Sequence, residues 1–578
     1  MENKYEELSH IRKQLQRDGL APAWMSTASY QLLSNQNYLD TAETPRAMYN
    51  RIAQRAADLT KFPIPKEYGY SSWFDAFFDI TFKGYLSPST PVLTNMGNNR
   101  GHPIACSGTN LSDSVRDFYT ARREIAQLTQ RGYGTSWCLD SIRPRGSDIS
   151  KGGTATGVTQ PADGVVQDMK EVSQGTRRGN VGQYINVLHP DYREVIKQLI
   201  SDHDGWNIGW NMTDEFQELF NRDPEEADNI WKHALKTKLI TGKGYFYFLS
   251  KVNRARPQMY VDKGLFVKHS NLCGEINLFN DKDHSFTCVL SSMNISKYDE
   301  WKDTSAIQIA TIFLDAVISD MLIKAKTEEG FERIIAFTEK SRAIGLGQLG
   351  ISTYFQKKGW VFGGLESKFF NKTLTTELDR ESLIASKLLA KEVGEPEWML
   401  GYGERFSHRL AFPPTKSTAV IQGGISEGIA PVFANVYEQD TAGGTIYRIN
   451  PVLLPIMKER GVYTKEVMER IYKAQGSVQG EEWLSAHEKE VFKTAFEINP
   501  ELLLELASDR QKIMNEGGGG QGQSLNLYFP KEATEEEISR VHHLAFTDPY
   551  IQSTYYIHSL DTESTYKVDR TSCPSCEG

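Results

Sequence analysis

The chain has 578 residues, a formal net charge of -9 and a hydrophobic content of 39%, ample for a large buried core and ordinary for an enzyme. The acidic balance argues against a nonspecific nucleic-acid binder, so any phosphate site has to be built locally. Six cysteines over this length exclude a disulfide scaffold.

The opening Met1-Glu2-Asn3-Lys4-Tyr5-Glu6-Glu7 has no apolar signal-peptide core, and no run reads as a membrane span of about 20 residues. The expectation is a cytoplasmic protein without a membrane or nucleic-acid partner. In a reducing compartment Cys106, Cys138, Cys273, Cys288, Cys573 and Cys576 serve packing, metal binding or redox chemistry.

Residues 1–86 mix charges with helical apolar spacing and are expected to form a helical N-terminal region. Pro88 and Pro91 then interrupt any helix, and a Gly/Asn-rich loop from Met96 to Gly101 leads to Ala105-Cys106-Ser107-Gly108. Two loops rich in Gly and Arg follow, Arg143-Pro144-Arg145-Gly146-Ser147 with Lys151-Gly152-Gly153, and Ser173-Gln174-Gly175-Thr176-Arg177-Arg178-Gly179-Asn180. Such loops suit backbone and guanidinium contacts to phosphate and base, solvated basic turns being the ordinary alternative. Short β-rich runs at Tyr245–Leu249 and Phe286–Leu290 alternate with helical patterns. Ile307, Ala310, Leu314, Val317, Ile318 and Met321 form one apolar stripe, and Leu378, Ile384, Leu388 and Leu389 contribute to another, which points to an α/β fold. Gly345-Leu346-Gly347-Gln348-Leu349-Gly350 fits the dinucleotide fingerprint. The segment ahead of it, Arg333 to Ala343, reads as a charged helix rather than the strand a real fingerprint needs, so it is set aside. Gly517 to Gly520 reads as a flexible insertion before Gln521-Gly522-Gln523.

The densest chemistry lies in His269-Ser270-Asn271-Leu272-Cys273-Gly274-Glu275-Ile276-Asn277. In an extended segment Asn271, Cys273 and Glu275 point to one side, presenting an amide, a thiol and a carboxylate to one ligand. A buried free cysteine among polar loop residues is the bland reading. The terminal Cys573-Pro574-Ser575-Cys576 supplies two thiols at disulfide spacing. Zinc would need a second close pair, so a tethered dithiol shuttle is preferred to a metal site. Cys106 and Cys288 are the thiols it would reduce. In Pro413-Pro414-Thr415-Lys416-Ser417-Thr418, a turn into a helix N-terminus, backbone N–H groups and hydroxyls bind anions, a ligand-free helix cap being the alternative.

Taken in this order, the motifs resemble the large, catalytic α subunit of class I ribonucleotide reductase, from about residue 80 onward. The resemblance rests on Leu86 to Pro91, Cys106, Ser173-Gln174-Gly175, Asn271 to Glu275, Cys288, Pro414 to Thr418, Tyr555-Tyr556 and the Cys573/Cys576 tail. It implies a ten-stranded α/β barrel over residues 87–528, a C-terminal segment with the tyrosine pair over 529–560 and a flexible redox tail over 561–578. It also implies reduction of ribonucleoside diphosphates to deoxyribonucleotides for DNA synthesis. Cys273 would carry the thiyl radical, Glu275 would take the 3′-hydroxyl proton, Asn271 would hold the sugar, and Cys106 with Cys288 would supply two electrons and become a disulfide. Tyr555 and Tyr556 would pass the radical from a metal-containing small subunit, and Cys573 with Cys576 would reset the disulfide at the expense of thioredoxin or glutaredoxin. Thr90, Ala105, Pro414, Thr415, Lys416, Ser417 and Thr418 would bind substrate; Ala105 stands where a serine often does, and Phe406 where many relatives have asparagine. Asp113, Arg143, Lys151, Gln174 and Arg178 would serve dNTP or ATP effectors. An α dimer with no metal of its own and no covalently bound cofactor is expected. The interval before Leu86 leaves no room for an ATP cone beside helices that pack on the barrel, so dATP is expected to act only at the specificity site. Two other readings are an adenosylcobalamin-dependent reductase and a non-catalytic, dithiol-tailed nucleotide-binding regulator.

Overall fold

The computed structural model describes residues 2–35, 38–174, 177–441 and 444–560. Its N-terminal part is helical, and local chemistry shows why. Thr44 caps the helix Pro45–Leu59, with proline at the first turn where no N–H is needed, and Ser72 caps Trp73–Phe82 by accepting the Asp75 N–H. These two helices pack on each other and on the helix Ala306–Ala325, with Trp73 stacked on Phe77 at 5.3 Å and Phe77 against Phe313 at 5.6 Å.

Two half-barrels follow. In the first, Thr135–Cys138, Val181–Asn186, Asn207–Asn211 and Tyr245–Tyr247 run parallel, and Ser553–Thr554 adds to the edge antiparallel. In the second, Phe286–Asn294, Ile344–Leu349, Leu410–Phe412 and Gly520–Gln523 run parallel. Two short strands, Cys106–Gly108 and Leu86–Pro88, lie end to end along the far edge of Phe286–Asn294. Counted as one lane they complete five lanes in each half, the ten of this barrel type. Bridges from Cys106 to Gly134 and from Thr109 to Trp137 join the halves on one side. On the other side the pairing does not continue, so the ring is not closed by strand hydrogen bonds. Parallel strands covered by helices are buried on both faces and read as near-continuous apolar runs, which is why Phe286–Asn294 is buried at every position.

Two sequence expectations change here and a third holds. Gly517 to Gly520 is not a flexible insertion: it turns from the helix Pro500–Glu516 into the strand Gly520–Gln523. A Cβ at Gly519 would lie 2.5 Å from the Arg409 guanidinium and one at Gly520 2.5 Å from Met514 Cβ, so the glycines permit close packing rather than motion. Ala306–Ala325 is long and apolar enough to cross a membrane, against the reading of the sequence, and it is buried nearly all round as a core helix instead of presenting one stripe. The fingerprint-like glycines lie within the strand Ile344–Leu349, not in a phosphate loop after one. The segment ahead of them is the helix Glu332–Ser341, as expected, and Gly345 and Gly347 leave no Cβ space against Leu290 at 2.5 Å and Pro413 at 2.6 Å, so they serve close strand packing.

Candidate active site

The segment 270–276 is a tight loop between the two halves, not a strand. Asn271 folds the loop around itself and links Glu275 to the Cys106 sulfur. The Asn271 Oδ1 accepts from the Gly274 N–H at 3.0 Å and from the Ile276 N–H at 3.3 Å, while its Nδ2 donates to Glu275 Oε1 at 2.9 Å and lies 3.1 Å from the Cys106 sulfur. Gly274 has φ +84°, the left-handed conformation that glycine takes without penalty. The first half holds the loop through the Tyr184 hydroxyl, which donates to the Asn271 carbonyl at 2.5 Å. The second holds it through the Gly522 N–H on the Glu275 carbonyl at 2.7 Å and the Asn277 N–H on Gln521 Oε1 at 3.2 Å.

Cys106 and Cys288 are partners in the antiparallel register, directly across from one another. Opposed residues in such a pair have Cα atoms about 4.5–5.5 Å apart, inside the range a disulfide accepts, so the backbone is already placed for the bond. Both are thiols in this structure. Burial pushes the Cys288 thiol up to about 12, partly offset by the Gln521 amide 3.3 Å from its sulfur. It is therefore a neutral S–H at physiological pH.

Glu275 is 1% exposed, and burial raises its carboxyl to about 7 against the lowering effect of the Asn271 hydrogen bond. Among the described residues its Oε2 has no hydrogen-bond partner, nor do the buried hydroxyls of Ser87 and Ser89. Buried polar atoms left unsatisfied by the protein mark places where a polar ligand completes the network.

Cys273 is buried in a small cluster with Tyr245, Leu272 and Tyr555, against which Tyr556 packs. The rings of Tyr555 and Tyr556 are 4.1 Å apart, centroid to centroid, and Tyr245 lies 4.5 Å from the first and 5.3 Å from the second. Tyr555 is buried and Tyr556 half-buried, so the aromatic path runs outward from the thiol. Ser553 Oγ ties this C-terminal segment to the loop by donating to the Gly274 carbonyl at 3.1 Å.

The remaining sites of the sequence reading fall elsewhere or are spent locally. Thr415 Oγ1 accepts the Gly428 N–H at 2.7 Å and Thr418 Oγ1 donates to the Thr415 carbonyl at 3.3 Å. Ser417 is buried, and Pro414 and Lys416 are half-buried. Thr90 begins the helix Thr90–Asn95 with its hydroxyl 3.4 Å from the Tyr38 hydroxyl, and Ala105 is buried beside Cys106. Arg143 donates to Asp113 Oδ2 at 2.5 Å, making these two effector candidates an ion pair; Lys151 is exposed in a separate turn. Gln174 and Arg178 lie on the antiparallel pair Ser173–Gln174 and Arg177–Arg178, and their side chains lie outside the described residues. So do Cys573 and Cys576. Phe406 fills the core, while its neighbour Arg405 pairs with Asp315 at 3.1 Å.

Tyr184, Tyr245, Gln521 and Ser553 were not singled out from the sequence. All are ordinary strand or edge residues whose approach to the loop depends on tertiary packing, across 87 residues for Tyr184 and 279 for Ser553. The only local hint was the alternation of Gln521 and Gln523 after the glycine run.

Comparisons with known proteins identify the family. The model of the ribonucleotide reductase barrel domain matches residues 104–225, 208–400 and 397–557, and that of the ribonucleotide reductase all-alpha domain matches 22–101. A protein of Frog virus 3 is 30% identical over 531 residues, covering 86% of this chain and 92% of the relative. The ribonucleoside-diphosphate reductase large subunit of Invertebrate iridescent virus 3 is 27% identical, covering 87% and 91%. The solved class Id ribonucleotide reductase alpha subunit of Actinobacillus ureae superposes with a TM-score of 0.84 at 32% identity, over 93% of this chain and 98% of that one. With its barrel, its all-alpha domain and its full-length relatives accounted for, the chain belongs to the ribonucleotide reductase family, among the large subunits of class I.

Proposed function

We propose that this protein reduces ribonucleoside diphosphates to 2′-deoxyribonucleoside diphosphates through a thiyl radical on Cys273. The observation that carries the reading is Asn271 bridging Glu275 and the sulfur of the opposed Cys106–Cys288 pair, on the interior loop that also carries Cys273 against Tyr555. The 2′ carbon of ribose has no activating neighbour. Removing the 3′ hydrogen atom onto the Cys273 sulfur breaks one C–H bond, forms one S–H bond and leaves a carbon radical that lets the 2′-hydroxyl depart as water. Glu275 accepts the 3′-hydroxyl proton. Cys106 and Cys288 then give up two electrons and two protons and become a disulfide, and Cys273 returns its hydrogen atom to the 3′ carbon, regenerating the thiyl radical. The sum is one diphosphate plus two thiols going to one deoxy product, water and a disulfide.

The radical is supplied by a separate, metal-containing small subunit, with Tyr556 receiving it and Tyr555 handing it to Cys273. The aromatic contact outward from Cys273 supports this two-subunit reading over a cobalamin-dependent one. Substrate phosphates belong at Pro414 to Thr418 and Thr90, effectors at the Asp113–Arg143 and Lys151 loop with Gln174 and Arg178, and the chain works as a homodimer. The test is CDP reduction with dithiothreitol, with and without the small subunit. Product only with both subunits supports the reading; product with adenosylcobalamin and no partner, or nucleotide binding with no product under either condition, overturns it.

The redox tail is separable from the chemistry. Replacing both Cys573 and Cys576 with serine leaves one reduction per site with thioredoxin-type reductants, because Cys106 and Cys288 still hold two electrons. A small dithiol that enters the barrel restores cycling. Rapid-quench product counting checks this, and normal cycling of the variant on thioredoxin removes the shuttle role.

Glu275 makes the rate pH-dependent. As a general base it has to be ionised, so kcat/KM, which follows the free enzyme, rises as pH passes its value of about 7. Its folded value lies above the unfolded 4.5, so the native state holds the extra proton between these values and stability falls as pH rises through that window. The full effect of such a shift is about 3 kcal/mol. Glu275→Gln is expected to abolish turnover yet be more resistant to urea than the parent at pH 8, with the advantage lost at pH 4.5.

A further inference from the structure

The segment carrying Tyr555 and Tyr556 is held from behind by a lysine that none of the chemistry above uses. Lys238 lies on the helix Pro224–Thr241, wholly buried, and its Nζ donates to the Thr554 carbonyl at 3.2 Å and to the carbonyl of Tyr555. The amine sits over the Phe246 ring at 5.0 Å, beside the buried, neutral imidazole of His542. Among the described residues no carboxylate pairs with it, and burial drives its protonation well below the ordinary lysine range. A lysine is an expensive way to fill an apolar site, because its head group has to be desolvated without a counter-charge. What it supplies there is hydrogen-bond donors on two consecutive peptide carbonyls.

Those carbonyls belong to the turn that sets the ring pair. Ser553 and Thr554 are still in register with Tyr247 and Phe246. Tyr555 leaves the sheet, its N–H donating to the Leu525 carbonyl at 2.7 Å, and the Tyr556 N–H donates to Asn526 Oδ1 at 3.2 Å. The peptide groups on either side of Tyr555 therefore decide where both rings point.

We infer that Lys238 is a positioning residue for radical transfer, its buried amine orienting the Thr554 and Tyr555 carbonyls and thereby fixing the ring contact of Tyr555 with Tyr556 next to Cys273. The inference rests on the proposed relay through these tyrosines. Each hop moves one electron and one proton between groups in contact, phenol to phenoxyl and thiol to thiyl, and the oxidant is that of the small subunit. Such transfer depends steeply on distance, and a misplacement of about 1 Å costs on the order of 100-fold in rate.

A second buried lysine provides the control. Lys251 Nζ donates to the carbonyls of Ala545 at 2.9 Å and Ile551 at 3.1 Å, anchoring the same C-terminal segment before it reaches the tyrosines. The experiment compares Lys238→Met, Lys238→Arg, Lys251→Met and Tyr556→Phe in the full chain with its small subunit. It reads CDP turnover, KM for CDP, dATP affinity and loss of the small subunit's oxidised signal on mixing with substrate and effector. Lys238→Met is expected to lower kcat about 30- to 100-fold, with KM and dATP affinity within twofold of the parent and the oxidised signal persisting. Lys238→Arg, which keeps donors at the carbonyls, recovers most of the rate, and Lys251→Met keeps kcat within threefold. Parent-like kcat in Lys238→Met while Tyr556→Phe is inactive overturns the inference and leaves the relay standing. An active Tyr556→Phe removes the relay itself. Loss of nucleotide binding or of folding in Lys238→Met, or an equal loss in Lys251→Met, assigns the lysine to general support of the fold and also overturns the inference.

Discussion

Cys273→Ser is expected to bind nucleotide like the parent and to form no deoxy product. The side chain is buried among Tyr245, Leu272 and Tyr555, and serine is close enough in size that the loop, held by Asn271, Tyr184 and Gly522, keeps its shape. The change is in bond strength. The S–H bond matches a sugar C–H closely enough for the hydrogen atom to pass in both directions, whereas the O–H bond is much stronger, so a serine oxygen cannot be oxidised by the neighbouring phenoxyl. Every 1.36 kcal/mol removes a factor of ten, and a penalty of only about 6 kcal/mol already removes about four decades. Equilibrium binding of CDP and dATP together with product formation over hours makes the measurement. Turnover within tenfold of the parent would move the radical to another group.

Tyr556→Phe is the companion experiment and separates delivery of the radical from its use. Phenylalanine keeps the ring that packs 4.1 Å from Tyr555 and 5.3 Å from Tyr245, so the half-buried site loses little stability. It has no phenolic hydrogen to give up, and an electron then has to cross from Tyr555 to the partner in one longer step. Turnover is expected to fall by about three decades or more, equivalent to about 4 kcal/mol, with KM for CDP and affinity for effectors unchanged. The small subunit's oxidised signal should persist during the assay. Normal turnover would return the pair to the role of core aromatics.

Different parts of this protein were legible at different levels. The amino-acid order alone determined the helical character of the N-terminal residues, since caps at Thr44 and Ser72 and prolines in first turns act over a few residues. It determined the α/β alternation, and it marked Asn271, Cys273 and Glu275 as a unit because they lie within five residues of one another. Packing decided what lies between distant segments. Cys106 and Cys288 are separated by 182 positions (288 − 106), and only the register of their two strands sets them face to face. The loop at 270–276 was read as an extended strand or loop presenting alternate side chains to one side. An Asn271-centred turn folds it, because the loop enters between two half-barrels and cannot find a strand partner for its own backbone groups. The glycines at 345, 347, 519 and 520 looked like a phosphate loop and a flexible linker. Their neighbours make them close-packed strand and turn positions, and no local pattern encodes which side chains will crowd a backbone. The value of about 7 at Glu275 and the buried amine of Lys238 belong to the same class. Burial shifts a proton affinity, up for this carboxyl and down for this amine, only after the chain has closed around it, since desolvation is a property of the folded interior and not of residue order.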